Sequence, residues 1–489
     1  MNKKNKFYIT TPIYYVNDIP HIGHAYTTIA ADVLARYQKN VLGEENVFFL
    51  TGTDEHGAKI AEAAKKARRT PQAFCDKVSL RFKNAWKNLN ISNDYFFRTT
   101  DERHIKRVQE IFQKIYENGK IYLSTYEELY CIGCEKYLKE KELINDCCPL
   151  HPNQKLIKQK ERNYFFKLKD YEKKLINLID DNKLKILPPA RKHEILSKIA
   201  LGLENISISR EGVKWGIPLP WDSKQTLWVW ADALLNYYTA TQFLEKKGGF
   251  WPPDLHLVGK DILWFHAVIW PALLLAAGIK EDNLPKKIFA HGFFTINGQK
   301  ISKSLGNVIS PEDLIKKFGV DGTRYLLLSE FPFGTDGDIS IKKFKTRYNA
   351  DLANGLGNLV ARVAKLFEKN NLNIKEIKKN FKKENDLESN LRVSLYLEEL
   401  KFDEIFKFVW GFISGLDKYI NRERPWEKDA SEAKKILGKI ILGSGSLVSL
   451  LKIAEILESF LPETSKKIKA IFEKEKIQLP SKPLFPRLD

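Results

Sequence analysis

Apolar residues recur along this chain with two alternating periods. Residues 6–11 are apolar and β-branched, as in a short buried strand, and Pro12 and Asn17–Asp18–Ile19–Pro20 then punctuate a turn. From His21 the period changes: Ile22, Ala25, Ile29, Val33 and Tyr37 fall near 3.6 spacing and predict a helix to residue 40. The same exchange predicts a strand over 46–51 and helices over 59–66 and 71–89, the βαβ rhythm of a doubly wound sheet. Residues 116–225 break the rhythm with a Lys-rich helix at 171–181 and turn signals at Pro188–Pro189 and 218–220, and so read as an insertion. Strand-like runs resume at 225–231, 254–258 and 288–296, the last ending in Asn297–Gly298. The apolar run 262–279 contains Trp264, His266 and Pro271, which predicts a buried helix rather than a membrane span. Beyond Phe344 the pattern is helical until a proline-containing tail at 480–489. The expected fold is α/β. A Rossmann-like, doubly wound parallel sheet is built from residues 1–115 and 226–297 and interrupted by a connective insertion at 116–225. A linking unit follows over 298–343, and an α-helical bundle over 344–489.

Composition adds charge to this picture. The chain has 489 residues, enough for two or three domains, and 43% of them are hydrophobic. Lys and Arg number 80 against 61 Asp and Glu, a net charge of +19, which suits a polyanionic partner. The lysines are spread along the chain, so the charge alone points to no single face. Asn2–Lys3–Lys4 leads straight into the first strand without a signal-peptide pattern, and a cytoplasmic protein is expected. Met1 is the only methionine.

Four of the five cysteines lie between 131 and 148. Cys131-x-x-Cys134 is followed by Cys148-x-x-His151, two knuckles with ligand spacing. Three thiolates and an imidazole make a closed tetrahedral zinc site, structural because no position stays open. Cys147 competes with Cys148; Cys148 is favoured because its x-x-His partner closes the second knuckle. Such a site would pin an insertion with little core of its own. Cys75, on a helical stretch, reads as a small buried hydrophobe.

Two short motifs carry the chemistry. His21–Ile22–Gly23–His24 opens the first helix, where unpaired N–H groups and the helix dipole favour phosphate. Gly23 lets nucleotide lie against backbone, and His21 and His24 can donate hydrogen bonds to a phosphate gathering charge. Far along the chain, Lys300–Ile301–Ser302–Lys303–Ser304 places two mobile point charges on a loop. Taken singly, the first reads as a helix start with polar histidines and the second as a solvated basic loop. In this order they resemble the HIGH and KMSKS signatures of the class I aminoacyl-tRNA synthetases, with Ile301 in the usual methionine position.

The resemblance narrows further. Residues 10–17 (TTPIYYVN), 51–57 (TGTDEHG), 228–233 (WVWADA), 259–261 (GKD), 290–292 (AHG) and the ending 483–486 (PLFP) are similar to the bacterial methionyl-tRNA synthetases over essentially the whole chain. This implies a methionine pocket of Ile13, Tyr15, Trp230, Ala233, Tyr237 and His266, with Asp54 on the substrate ammonium. Aromatic rings suit a polarizable sulfur, and a desolvated ammonium needs a carboxylate. Gly23, Gly259, Asp261, Ser302 and Ser304 are implied ATP-binding residues. His21, His24, Lys300 and Lys303 are the implied catalytic ones, with Mg²⁺ on the phosphates. In the bundle, Asn358 and Arg362 share a helix face and Trp426 follows Pro425, implying an anticodon-binding trio. The implied partners are ATP, L-methionine and tRNA(Met), initiator tRNA included, with no membrane, and a monomer is expected because the family's optional C-terminal domain has no counterpart here. Leucyl, isoleucyl and valyl relatives would need an editing insertion longer than 116–225. A cysteinyl relative would use zinc in its pocket. A non-catalytic tRNA-binding paralogue has no physical need for both motifs.

Overall fold

The computed structural model describes residues 6–133, 136–138, 143–149, 151–245, 247–296, 298–300, 308–375, 377, 387–444 and 447–489. It divides into two compact units. One comprises Met1–Pro20, Gln38–Lys87 and Ile91–His291, the other His21–Tyr37, Asn88–Asn90 and Gly292–Asp489.

The first unit is built on six parallel strands: β1 (Phe7–Tyr15), β2 (Val47–Asp54), β3 (Tyr95–Arg98), β4 (Lys185–Leu187), β5 (Leu255–Gly259) and β6 (Lys287–His291). Their order across the sheet is β3-β2-β1-β5-β6-β4, so the winding reverses between β1 and β5. In such sheets ligands bind beyond the carboxyl ends of the strands at that switch. The first strand runs past Pro12, where the expected strand stops. Its register against β2 shifts between Thr10 and Ile13, and a proline lacking an N–H is tolerated at such an irregularity.

The insertion carries a four-stranded sheet in the order Lys136–Leu138, Ile121–Cys131, Ile157–Phe166, Ile206–Ser207. Its base is not separate from the parallel sheet: Phe166, Leu175 and Ile199 belong to the same buried cluster as Tyr8, Phe48 and Val258. Among the described residues its tip has its own small core, made of Cys131, Leu138 and Cys148.

Two other stretches depart from their expected form. Residues 225–231 divide into a strand ending at Leu227 and a helix Val229–Ala233, with Trp228 extended between them. The apolar run 262–279 is buried but not one helix. A 3₁₀ turn Lys260–Ile262 and a π-helix Phe265–Ile269 precede the helix Trp270–Ala276. Wide turns of this kind often mark functional segments.

In the second unit, His21 immediately precedes the helix Ile22–Leu42, of which residues 22–37 belong to this unit. A three-stranded sheet of Gln299–Lys300, Phe294–Ile296 and Gly337–Ile339 precedes and follows the helix Pro311–Ser329, which is kinked at Gly319. Helices then dominate: Ile341–Arg347, a π-helix Tyr348–Gly357, Asn358–Lys369, Leu387–Glu398, Phe402–Glu423, Ala430–Leu442, Leu450–Leu457 and Pro462–Phe472. The run 288–296 is accordingly two strands, one in each unit. Among the described residues no helix is long and apolar enough to cross a membrane.

Candidate functional site

In the first unit, the carboxyl ends of β1, β2 and β5 collect the expected pocket residues. Register pairs Ile13 with Gly52 and Tyr15 with Asp54, and Asp54 is the buried last residue of β2. Gly259 ends β5 beside His291 of β6, and exposed Asp261 follows in the next turn.

Tyr237, His266 and Trp230 form one wall. The Tyr237 hydroxyl lies 2.8 Å from His266 Nε2, and His266 Nδ1 lies 2.9 Å from the Ile262 carbonyl. A carbonyl only accepts, so Nδ1 carries the proton and Tyr237 donates to Nε2. Burial pushes the His266 pKa down to about 4, which keeps the ring neutral, and pushes the Tyr237 phenol up. Trp230 stacks on Phe265 with centroids 3.8 Å apart and the rings 4° from parallel, and it stands edge-on to His266. Ala233 is buried on the same short helix as Trp230.

Behind this wall sit residues that sequence reasoning did not assign. His256, on β5, lies 4.4 Å from the Tyr237 ring and is held by Thr10 Oγ1 at 2.6 Å and Trp270 Nε1 at 3.3 Å. Burial, then His266, lower its pKa. Asp232 bridges two buried histidines, His56 Nδ1 at 2.6 Å and His104 Nε2 at 2.7 Å. Burial opposes its charge, but the two imidazoles outweigh burial and hold its carboxyl below the usual range. Glu55, next to Asp54, receives the Arg98 fork at 2.7 and 2.8 Å and the hydroxyls of Thr53 and Thr100. His56 and Asp232 lie inside quoted motifs. His104 and Arg98 had no local signal.

In the second unit, the rings of His21 and His24 stack with centroids 3.7 Å apart. The Gly23 N–H donates to His21 Nδ1 at 3.1 Å, and the His21 N–H to His24 Nδ1 at 3.2 Å. A Cβ at Gly23 would lie 2.9 Å from His21 Cε1, so the glycine lets the His21 ring fold back over its own turn. Burial, then the neighbouring His21, lower the His24 pKa well below its ordinary value. Gln299–Lys300 begins the second motif as an edge strand paired with Phe294–Ile296. Ile301, Ser302, Lys303 and Ser304, like Cys134, lie outside the described residues, as does the Lys300 side chain.

The metal candidates converge at the tip of the insertion. Cys131 Sγ and Cys148 Sγ each lie 3.8 Å from His151 Nδ1, and the three ligand atoms are all within 4.8 Å of one another. Ligands on a tetrahedral zinc would be about 3.6 Å apart, given bonds of ~2.3 Å to sulfur and ~2.1 Å to nitrogen. The group thus fits a metal ion. Cys148, not Cys147, joins it, while the Cys147 backbone exchanges hydrogen bonds with Ile144. Gly133 approaches so closely that a Cβ there would meet the His151 ring at 2.3 Å, so the first knuckle needs a residue without a side chain.

In the bundle, Asn358 is exposed at the start of its helix and Arg362 follows one turn later. The Arg362 guanidinium lies 5.2 Å over the Trp426 ring and is aimed by Asp417 at 3.1 Å and Asn421 at 2.5 Å. Trp426 is 37% exposed.

A family model described as class I tRNA synthetases of the (M) type matches residues 7–156 and 139–364. The chain belongs to this family. The methionine–tRNA ligase of Thermotoga maritima is 42% identical over 95% of this chain and 74% of that protein. The Synechocystis methionine–tRNA ligase is 41% identical over 94% of this chain and 88% of its own length. Among solved structures, Mycobacterium tuberculosis methionyl-tRNA synthetase in complex with methionyl-adenylate superposes with a TM-score of 0.88 at 33% identity, covering 99% of this chain and all of that one. The doubly wound sheet, the Cys/His group and the helical C-terminal region are therefore those of a methionyl class I synthetase.

Proposed function

We infer that this chain is a methionine–tRNA ligase. It activates L-methionine with ATP to methionyl-adenylate and pyrophosphate, then transfers methionine to the 3′-terminal ribose of tRNA(Met), initiator tRNA included. The observation that carries the reading is the neutral Tyr237–His266 pair beside Trp230, with Tyr15 registered against Asp54 at the strand ends. A wall of uncharged rings receives the thioether, and Asp54 takes the α-ammonium. Ile13 and Ala233 complete the apolar lining.

The methionine carboxylate attacks the ATP α-phosphate and pyrophosphate leaves, with no protein nucleophile. His21, His24, Lys300 and Lys303 stabilise the charge that develops, and the work is positioning and electrostatics. Gly23, Gly259, Ser302 and Ser304 hold the nucleotide by backbone approach and hydroxyls, and Asp261 accepts from the ribose. Mg²⁺ bound with ATP would supply charge neutralisation at the phosphates. Cys131, Cys148 and His151, with Cys134 as the fourth ligand, would hold one structural zinc, which would order the tip of the insertion. Asn358, Arg362 and Trp426 read the anticodon, Trp426 by stacking. The protein works as a cytoplasmic monomer, which light scattering and fractionation test.

Amino-acid-dependent ATP–pyrophosphate exchange, run with all twenty amino acids separately, tests the activation step. Exchange with methionine alone is expected. Exchange with another amino acid would keep the mechanism and discard the pocket, and no exchange from folded, zinc-loaded protein would favour a non-catalytic tRNA-binding role.

A further inference from the structure

The second unit buries an ion pair that the mechanism above does not use. Asp32 lies on the helix Ile22–Leu42, eleven residues beyond His21, or about 16 Å along the axis. Its side chain and that of Arg324 are fully buried, 2.7 Å apart. Asp32 also takes Arg36 Nε at 2.8 Å, and Arg36 Nη2 donates to the Asn90 carbonyl at 2.6 Å.

Arg324 gives three further hydrogen bonds to backbone. Nε reaches the Phe460 carbonyl at 2.7 Å, Nη2 the Ser459 carbonyl at 3.1 Å and Nη1 the Leu89 carbonyl at 3.2 Å. Ser459 and Phe460 form the corner between the bundle helices Leu450–Leu457 and Pro462–Phe472. One turn earlier, Asp321 receives the Thr464 N–H at 2.6 Å, so the same corner is keyed twice to the segment after the Gly319 kink. At its other end the Ile22 N–H donates to the Ile309 carbonyl at 3.1 Å, next to the Ser310–Asp313 capping box that starts the helix Pro311–Ser329.

A buried ion pair is weak evidence for stability, because desolvation cancels most of its attraction. What it does impose is register. The planar guanidinium presents donors in a fixed fork. Turning the helix Ile22–Leu42 by one residue, about 100°, would carry Asp32 off that fork.

We propose that Arg324 is a positioning residue for His21 and His24. By joining Asp32 to the Ser459–Phe460 corner it fixes the rotation and axial setting of the helix that follows His21 and carries His24 in its first turn. The bundle thereby sets the phosphate-binding end. The proposal rests on the synthetase reading above for what the histidines do.

The test is Arg324→Lys, which keeps the charge and loses the fork, with Asp32→Asn as the gentler variant. In methionine-dependent pyrophosphate exchange kcat should fall at least tenfold in Arg324→Lys and three- to tenfold in Asp32→Asn. The KM for methionine should stay within twofold in both. Amide protection over residues 25–36, read by hydrogen exchange, should fall in parallel. A kcat within twofold of the parent in folded Arg324→Lys, or a KM that rises in step with the loss of kcat, would overturn the proposal. Should Arg324→Lys not fold, the same outcomes in Asp32→Asn decide it. An inactive parent protein would sink the synthetase reading instead. Hydrogen exchange would still judge the lock, and unchanged protection in the variants would refute it.

Discussion

Replacing Gly23 by alanine separates two effects that usually move together. A Cβ at this position would lie 2.9 Å from His21 Cε1 and 3.0 Å from Nδ1, where ordinary contact begins at 3.4 Å. The His21 ring must therefore retreat by 3.4 − 2.9, or 0.5 Å. It cannot do so without disturbing its stack on His24 and the hydrogen bond it accepts from the residue 23 N–H. A misplacement of ~1 Å at a catalytic group can cost about 100-fold, so half of that is taken as about tenfold, or ~1.4 kcal/mol in the barrier. Stability should move the other way or not at all, since alanine exceeds glycine in a helix by up to ~1 kcal/mol, less in a first turn. Methionine-dependent pyrophosphate exchange should show kcat about tenfold lower with the methionine KM unchanged, and the thermal midpoint should be no lower than the parent's. An unaltered kcat would refute the placement of His21 at the reacting phosphate. A fall in the midpoint would show that the clash is taken up by the fold and not by the ring.

Three further outcomes follow from the sites. His266 has its pKa lowered by burial from 6.5 to about 4, so the unfolded chain takes up this proton first and stability is lost as pH falls through that window. The 2.5-unit gap corresponds to about 3 kcal/mol below pH 4 and about 2 kcal/mol at pH 5; urea unfolding of the parent should steepen between pH 7 and 5 relative to His266→Gln, and parallel curves would contradict the neutral buried ring. Cys148→Ser should lose bound zinc and loosen the insertion tip, while Cys147→Ser keeps one zinc per chain in metal analysis; the reverse pattern would exchange the two ligands. Arg362→Ala releases Trp426 and should lower kcat/KM for tRNA charging by about 5- to 150-fold, the ~1–3 kcal/mol of a stacked base, without changing pyrophosphate exchange; loss of both activities would mean a damaged fold.

The sequence exposed the groups proposed to touch substrate better than the groups that hold them. Asp54 and Trp230 stand in short motifs, one at the end of β2 and the other on the helix Val229–Ala233, whereas Tyr237 and His266 are implied only by the family resemblance. The alternation of periods likewise revealed the parallel sheet and the helical bundle. Periodicity failed where backbone geometry is irregular. A proline did not stop β1 because the strand shifts register there, and an apolar run that scores as one helix is broken into 3₁₀, π and α turns. A uniformly buried segment has no polar face, and so offers no period to report such a break.

The supporting network was invisible for a different reason. Thr10 meets His256 across 246 positions, His104 meets Asp232 across 128 and Arg324 meets Asp32 across 292. No local pattern encodes such pairs, because each residue taken alone looks like an ordinary polar position on a strand or helix. Yet Asp232, Asp32 and Arg324 among them carry charge that is hard to bury, and an unpaired carboxylate or guanidinium in those places would cost far more than the pair gains. Substitutions at them therefore act on geometry at a distance. A variant at Arg324 should resemble a damaged His24 in its kinetics while leaving the methionine pocket intact, whereas one at His256 should disturb Tyr237 and the pocket first. The two kinetic signatures, kcat against KM, distinguish which buried polar pair has been broken.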